Sequence, residues 1–300
     1  MRNDKLLNYL HLHLIVFIWS FTAVLGALIT LEAIPLVWYR MLLAAIIIFV
    51  FLKFKKENLK FSFKTLGAFA VAGVIIALHW LTFFGAIKAS NVSVTLAILS
   101  TGAFFTSLLE PLFYKRKIIV YEVLFGLVVV LGLYIIFDVE SSYTFGIILA
   151  LISAFLSALF SVINGKFVLK HKASAISFYE LIFGVLGISI YLAFAGKFTT
   201  NFFTVSAHDW IYLLILASVC TAYAFIASIH VMKWISPYTV MLTINMEPVY
   251  GIILALIVLG DSENMSPQFY YGAAIILVTV IANGIIKITQ ERKRRRLSNT

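Results

Sequence analysis

The stretch Ser236–Asp261, SPYTVMLTINMEPVYGIILALIVLGD, is apolar over most of its length yet carries one carboxylate, Glu247, directly before Pro248. At ~1.5 Å of rise per residue, ~20 apolar residues cross the ~30 Å hydrocarbon layer of a bilayer, so the stretch predicts a membrane-spanning helix. An acid at the centre of such a helix costs ~2.5–3.5 kcal/mol on insertion scales, and such groups face a protein interior or a water-filled cavity. Pro248 has no N–H for the carbonyl of Ile244 and leaves that oxygen free beside the acid. Glu247 is therefore the first candidate functional residue.

The rest of the chain has the same character. Of its 300 residues 62% are hydrophobic and 12% charged, with a mean hydropathy of +1.04; soluble domains are about a quarter charged. Ten apolar runs follow one another at 8–30, 34–52, 65–87, 91–114, 119–137, 143–164, 174–195, 208–232, 236–259 and 268–288. Ser236-Pro237 and Ser266-Pro267 place a capping hydroxyl before a first-turn proline, and Pro35 opens the second run. No Ala-x-Ala site follows the first run, which Trp19 and Ser20 interrupt, so it predicts a retained span rather than a signal peptide. Cys220 is the single cysteine, which excludes an intrachain disulfide. The net charge of +10 and the cluster ERKRRR at 291–296 invite a nucleic-acid reading, but the cluster directly follows the last span, where basic residues meet lipid headgroups; no nucleic-acid partner is expected.

Lysine and arginine alternate between the connections. With the N-terminus inside, inner segments hold twenty of them, outer segments hold Lys88 and Lys197, and Arg40 lies within a span. This bias predicts ten spans with both termini cytoplasmic, in the cell (inner) membrane. Residues 86–114 lie over 231–259 at a shift of 145, WYR at 38–40 over FYE at 178–180 at 140, and FIWSF at 17–21 over FLSAL at 155–159 at 138. The predicted fold is all-α and integral to the membrane: ten transmembrane helices as two inverted five-helix repeats, 1–140 and 141–288, then a basic cytoplasmic tail, 289–300. An odd number of spans per repeat inverts the second half and places a site near the midplane between the halves.

On the ninth span Thr239, Thr243, Glu247 and Gly251 recur every four residues with Tyr250 beside them. Glu247 lies ~15 Å from the span start, Arg40 ~7 Å below the outer end of the second span, and His79 at a similar depth on the third. These three could line one cavity with Trp80, with Trp19 of the first span and Tyr223 of the eighth. Each has a plainer reading: Arg40 can snorkel to headgroups, His79 can be a hydrogen-bonded packing residue, and Glu110 can pair with the basic boundary at Lys115. The stripes Ser93, Ser100, Ser107 and Ser153, Ser157, Ser161 read as close helix packing. Glu180, the counterpart of Arg40 in the repeat, falls in the inner third of the seventh span.

With Glu247-Pro248, the apolar run Ile252–Leu259, Gly260-Asp261 and the opening Trp19-Ser20, the chain resembles the drug/metabolite transporter superfamily, specifically its ten-span EamA-like members, from about residue 10 to 286. In the first half Gly102-Ala103 stand where Glu247-Pro248 align, and Lys115-Arg116 replace Gly260-Asp261, so a central site is asymmetric. The resemblance implies transport, with export as the family's habit. The expected function is a secondary carrier of a small polar or amphipathic metabolite, an amino acid or its relative. Its substrate-binding residues would be Trp19, Arg40, His79, Trp80, Tyr223, Thr243, Glu247 and Tyr250. Arg40 would meet a carboxylate, Glu247 an amine or a coupling proton, and Trp19, Trp80 and Tyr223 an apolar side chain. The alternatives are an uncoupled facilitator, an intramembrane enzyme and a structural membrane subunit. No G-x-x-x-x-G-K-[ST], H-E-x-x-H or G-x-S-x-G motif is present, and no catalytic residue, metal or cofactor is expected. The expected partners are a small-molecule metabolite, the bilayer and protons; no dimer face is identified.

Overall fold

The computed structural model describes residues 2–115, 117, 120–139 and 141–297. Arg116 of the third basic segment, Glu140 at the predicted boundary between halves and the last three residues of the tail lie outside the described residues. So do the side chains of Arg2, Lys5, Lys287 and the 291–296 cluster. Helices and no strands make up the regular structure of the described residues. In chain order they are α1 (Arg2–Leu28), α2 (Ala33–Phe54), α3 (Phe63–Ala89), α4 (Val92–Leu99), α5 (Gly102–Tyr114), α6 (Val120–Val139) and α7 (Thr144–Phe167). Then follow α8 (Ala173–Phe194), α9 (Thr200–Phe203), α10 (Ala207–Ala217), α11 (Ala224–Val231), α12 (Pro237–Ile244), α13 (Met246–Leu259) and α14 (Pro267–Leu297). Among the described residues nine segments are long and apolar enough to cross a membrane; the run at 119–137 forms the 20-residue helix α6, apolar over its described stretch Leu124–Ile136. Helix α14 continues through the start of the basic segment to Leu297.

Local chemistry accounts for the helix starts. Ser236 Oγ accepts from Thr239 N with Pro237 in the first turn of α12, and Ser266 Oγ accepts from Phe269 N at the start of α14. Asn91 caps α4 by accepting from Val94 N at 2.8 Å. The fourth and ninth runs, expected as continuous helices, are each broken once, at Ser100–Thr101 and at Asn245. At Asn245 the helix tightens to a 3₁₀-type bond, Asn245 N to Leu242 O, and Pro248 falls in the first turn of α13, where its missing N–H is not needed. At the other break Ser100 Oγ donates to Ala97 O and Thr101 Oγ1 to Ile98 O. The eighth run contains a π-helical turn, Ser218–Tyr223, between α10 and α11.

Helices α1, α2, α3, α7 and α8 surround the broken pairs: α3 packs on α7 and α8, α2 on α8 and α10, and α1 on α13 and α11. Helices α6 and α14 pair with each other, and at their crossing a Cβ on Gly132 or on Gly272 would meet the carbonyl of the other. Small residues of this kind let membrane helices approach closely. The outward faces are apolar, as with Leu124, Leu127, Leu131, Ile253 and Ile257, an arrangement suited to lipid rather than to water.

Both ends of the bundle are tied by polar contacts. At the end carrying Lys55 and Lys56, Lys172 lies 3.5 Å from Glu57, Ser174 Oγ donates to Glu57, and Glu110 Oε2 accepts from Tyr238 N at the start of α12. At the opposite end Asp209 accepts from Thr30 N and Thr30 Oγ1, and Glu263 accepts from Val92 N and Ser93 N at the start of α4. The two broken spans therefore each receive the other's carboxylate at their first turn, where the helix dipole favours an anion.

Candidate functional site

Arg40 is turned inward from α2 and is 1% exposed, so it does not snorkel to the headgroups. Its Nε donates to Thr221 Oγ1 at 2.6 Å, and its guanidinium lies over Trp80, 4.0 Å from the ring centroid, and near Phe84 at 5.4 Å. A desolvated cation–π contact of this kind is worth ~2 kcal/mol. Nη1 has no hydrogen-bond partner. The π-helical turn explains the Thr221 contact: its wider winding aims Thr221 at Arg40 while the same hydroxyl donates to Leu216 O, five residues back. The widened turn also frees the Cys220 carbonyl, which accepts from Trp19 Nε1 at 3.2 Å.

Glu247 enters from the first turn of α13. It is 5% exposed, makes no hydrogen bond among the described residues, and acts on the charge of Arg40 without a direct ion pair. His79 Nδ1 lies 2.9 Å from the Ser153 carbonyl oxygen, an acceptor, so the neutral ring carries its proton there and keeps Nε2 as an acceptor. Ser153 Oγ donates back to the His79 carbonyl at 3.1 Å. His79 thus holds α3 to α7 and lines the site as well.

Trp19, Arg40, His79, Trp80 and Glu247 surround a small cavity of about 80 Å³. From their level it runs toward the basic end, past Ser157 and Ser161 of α7, Ser228 and Met232 near the end of α11, and Met241 of α12. Its few convergent polar groups on an apolar, aromatic wall have the composition of a small-molecule site. On the other side Trp38, Tyr39, Phe202 and Trp210 pack edge to face and stacked, closing the bundle.

Three residues expected at this site lie elsewhere. Tyr223 is exposed and its hydroxyl bonds to His11 Nε2 at 2.8 Å; two residues after Thr221 it emerges on the other face of the segment. Thr243 donates to Thr239 O within α12, and the break at Asn245 ends the shared face it was expected to have with Glu247. Tyr250 packs its ring edge against Phe17, 5.7 Å between centroids, on the α1 side of α13. Sequence reasoning missed Thr221, Phe83, Phe160 and Phe225, which no spacing distinguished from core residues. It favoured helix packing for Ser157 and Ser161, which line the cavity.

The family model described as the EamA-like transporter family matches residues 7–138 and 144–284. An uncharacterized transporter of Clostridium kluyveri is 24% identical over 260 residues, covering 82% of this chain and 80% of that protein. Another, of Archaeoglobus fulgidus, is 24% identical over 278 residues, covering 89% and 92%. A protein of known crystal structure superposes with a TM-score of 0.66 over 92% of this chain and 97% of that one, at 14% identity, which shows a shared fold.

Proposed function

The chain belongs to the EamA-like transporter family, and from that premise we propose that this multi-pass membrane transporter is a secondary carrier of a zwitterionic metabolite, an amino acid or a relative. One observation carries the reading: a cation with a free N–H, Arg40, and a carboxyl without a partner, Glu247, face one cavity without neutralising each other in a direct pair. A ligand carboxylate satisfies the first, a ligand ammonium the second, and Trp19 and Trp80 receive an apolar side chain.

The carrier works by alternating access between two inverted five-helix halves. Supporting this, packing contacts come in pairs that the repeat exchanges: α1 on α13 corresponds to α4 and α5 on α7, and α3 on α8 corresponds to α2 on α10. The two helix breaks, at Ser100 and Asn245, differ by the 145 residues of the repeat shift, and Gly132 and Gly272 differ by 140. The basic end is cytoplasmic in the inner membrane, so the cavity runs toward the cytoplasm and the Asp209–Thr30 contact closes the outside. Export of substrate is coupled to a proton that enters on Glu247.

Two experiments test this. A panel of amino acids and related metabolites should raise the melting temperature of the purified protein, and uncharged analogues lacking either ionic group should not. Glu247→Gln should abolish uptake driven by a pH gradient in proteoliposomes while leaving the melting temperature intact; unchanged coupled transport in that variant sinks the proton role and leaves a facilitator.

A further inference from the structure

Away from Glu247, α8 carries another buried acid, bonded to α7, that the transport proposal does not use. Glu180 is 0% exposed, and its Oε1 accepts from Asn164 Nδ2 at 3.0 Å. The remaining oxygens of the two partners, Glu180 Oε2 and Asn164 Oδ1, have no hydrogen-bond partner, and neither do Ser177 Oγ and Ser161 Oγ, one turn earlier on each helix. Gly73 of α3 lies so close to the Glu180 carbonyl that a Cβ there would collide, which seals that side.

Among the described residues no cation contacts Glu180. Of the charged and titratable groups on the helices packed against it, Arg40 of α2 is bonded to Thr221 and His79 of α3 to Ser153. Lys166 of α7 is bonded to the Phe113 carbonyl, and His230 of α11 packs on Trp234. An ionised carboxylate buried without a cation costs several kcal/mol. An acid and an amide that already share one N–H···O bond can complete the second only if a hydrogen lies between their other two oxygens.

We infer that Glu180 and Asn164 form a proton-binding site within the bundle wall, in which Glu180 Oε2–H donates to Asn164 Oδ1. The proton comes from a hydronium ion, which leaves as water; the carboxylate becomes a neutral acid. Ser161 lines the central cavity, so its hydroxyl is the step between cavity water and the pair. The bound proton ties α7 to α8, and parting of these helices rehydrates the acid and releases it. The inference stands on the Asn164–Glu180 hydrogen bond between α7 and α8 and on the unpaired oxygens beside it, and holds whether or not Glu247 couples transport.

Infrared spectroscopy of the full-length protein in nanodiscs reads the site directly, in the Glu247→Gln background so that the acid of the cavity is silent. At neutral pH the background protein should show the C=O stretch of a hydrogen-bonded, protonated carboxylic acid. Adding Glu180→Gln should remove it, and adding Asn164→Leu should shift it to the higher frequency of a free acid. Absence of any Glu180-dependent band overturns the inference, as does a band that sodium chloride removes and choline chloride does not, which assigns the oxygens to a metal cation. Should the Glu180 variant fail to fold, an unmoved band in the Asn164 variant overturns it equally.

Discussion

Arg40 is held by groups that only a planar, delocalised cation can use together: a hydroxyl at Nε and an indole face beneath the guanidinium. A lysine supplies the charge but neither the fork nor the stacking surface. Arg40→Lys is expected to weaken substrate-dependent thermal stabilisation about tenfold, ~1.4 kcal/mol, with the melting temperature of the free protein nearly kept. Outside the spans, His171 packs against Phe61 and Phe69, and burial together with Lys170 holds its imidazole below the usual histidine range. The folded ring therefore resists a proton that the unfolded chain accepts, so stability present above the ordinary histidine pKa declines as pH falls toward the folded value. Melting curves of His171→Phe should lack the part of that acid-side decline that depends on this ring.

Two irregular elements aim the side chains. The π-helical turn at Ser218–Tyr223 supplies both the Thr221 hydroxyl for Arg40 and the Cys220 carbonyl for Trp19. Thr221→Val leaves Arg40 Nε buried and unpaired, which for a hydrogen bond to a charged group amounts to ~1.5–3 kcal/mol; thermal unfolding measures the loss. At the second element, Pro248 keeps α12 and α13 distinct. Pro248→Ala restores an N–H within reach of the Ile244 carbonyl and favours a continuous helix, which turns Glu247 away from its present direction. The variant should fold with an equal or higher melting temperature yet lose stabilisation by substrate; retained stabilisation shows that the break does not aim Glu247. The Glu247-Pro248 pair was visible in the sequence as an anomaly, and its proline pointed to a freed carbonyl. The π-helical turn had no such marker, because Ser-Val-Cys-Thr-Ala-Tyr contains neither proline nor glycine.

Closure of the end opposite the basic connections rests on few polar bonds, of which Asp209 to Thr30 supplies two. Cys220, the only cysteine and 3% exposed, lies in the π-helical turn beneath that seal. Asp209→Ala removes a charge-assisted bond of ~1.5–3 kcal/mol and should shift the balance toward opening at this end. Alkylation of Cys220 by a membrane-impermeant maleimide added from that side should rise about tenfold or more. An unchanged rate shows that the aromatic cluster of Trp38, Tyr39, Phe202 and Trp210 holds this end closed without Asp209.

The length and polarity of the apolar runs are local, additive properties, so the amino-acid sequence alone determines that the chain crosses a membrane repeatedly and where its caps and basic segments fall. The same holds for the presence of an intramembrane acid and cation, since each is conspicuous against its own neighbours. Which face such a residue occupies is another matter. One broken hydrogen bond at Asn245 or one widened turn at Thr221 rotates everything after it, and whether that rotation persists depends on the helices packed around it. Tertiary structure therefore kept Glu247 in the cavity, sent Thr243, Tyr250 and Tyr223 out of it, and set Asn164 against Glu180 across two helices. In the sequence those two residues are a polar amide and an acid sixteen positions apart, with nothing to mark them as partners.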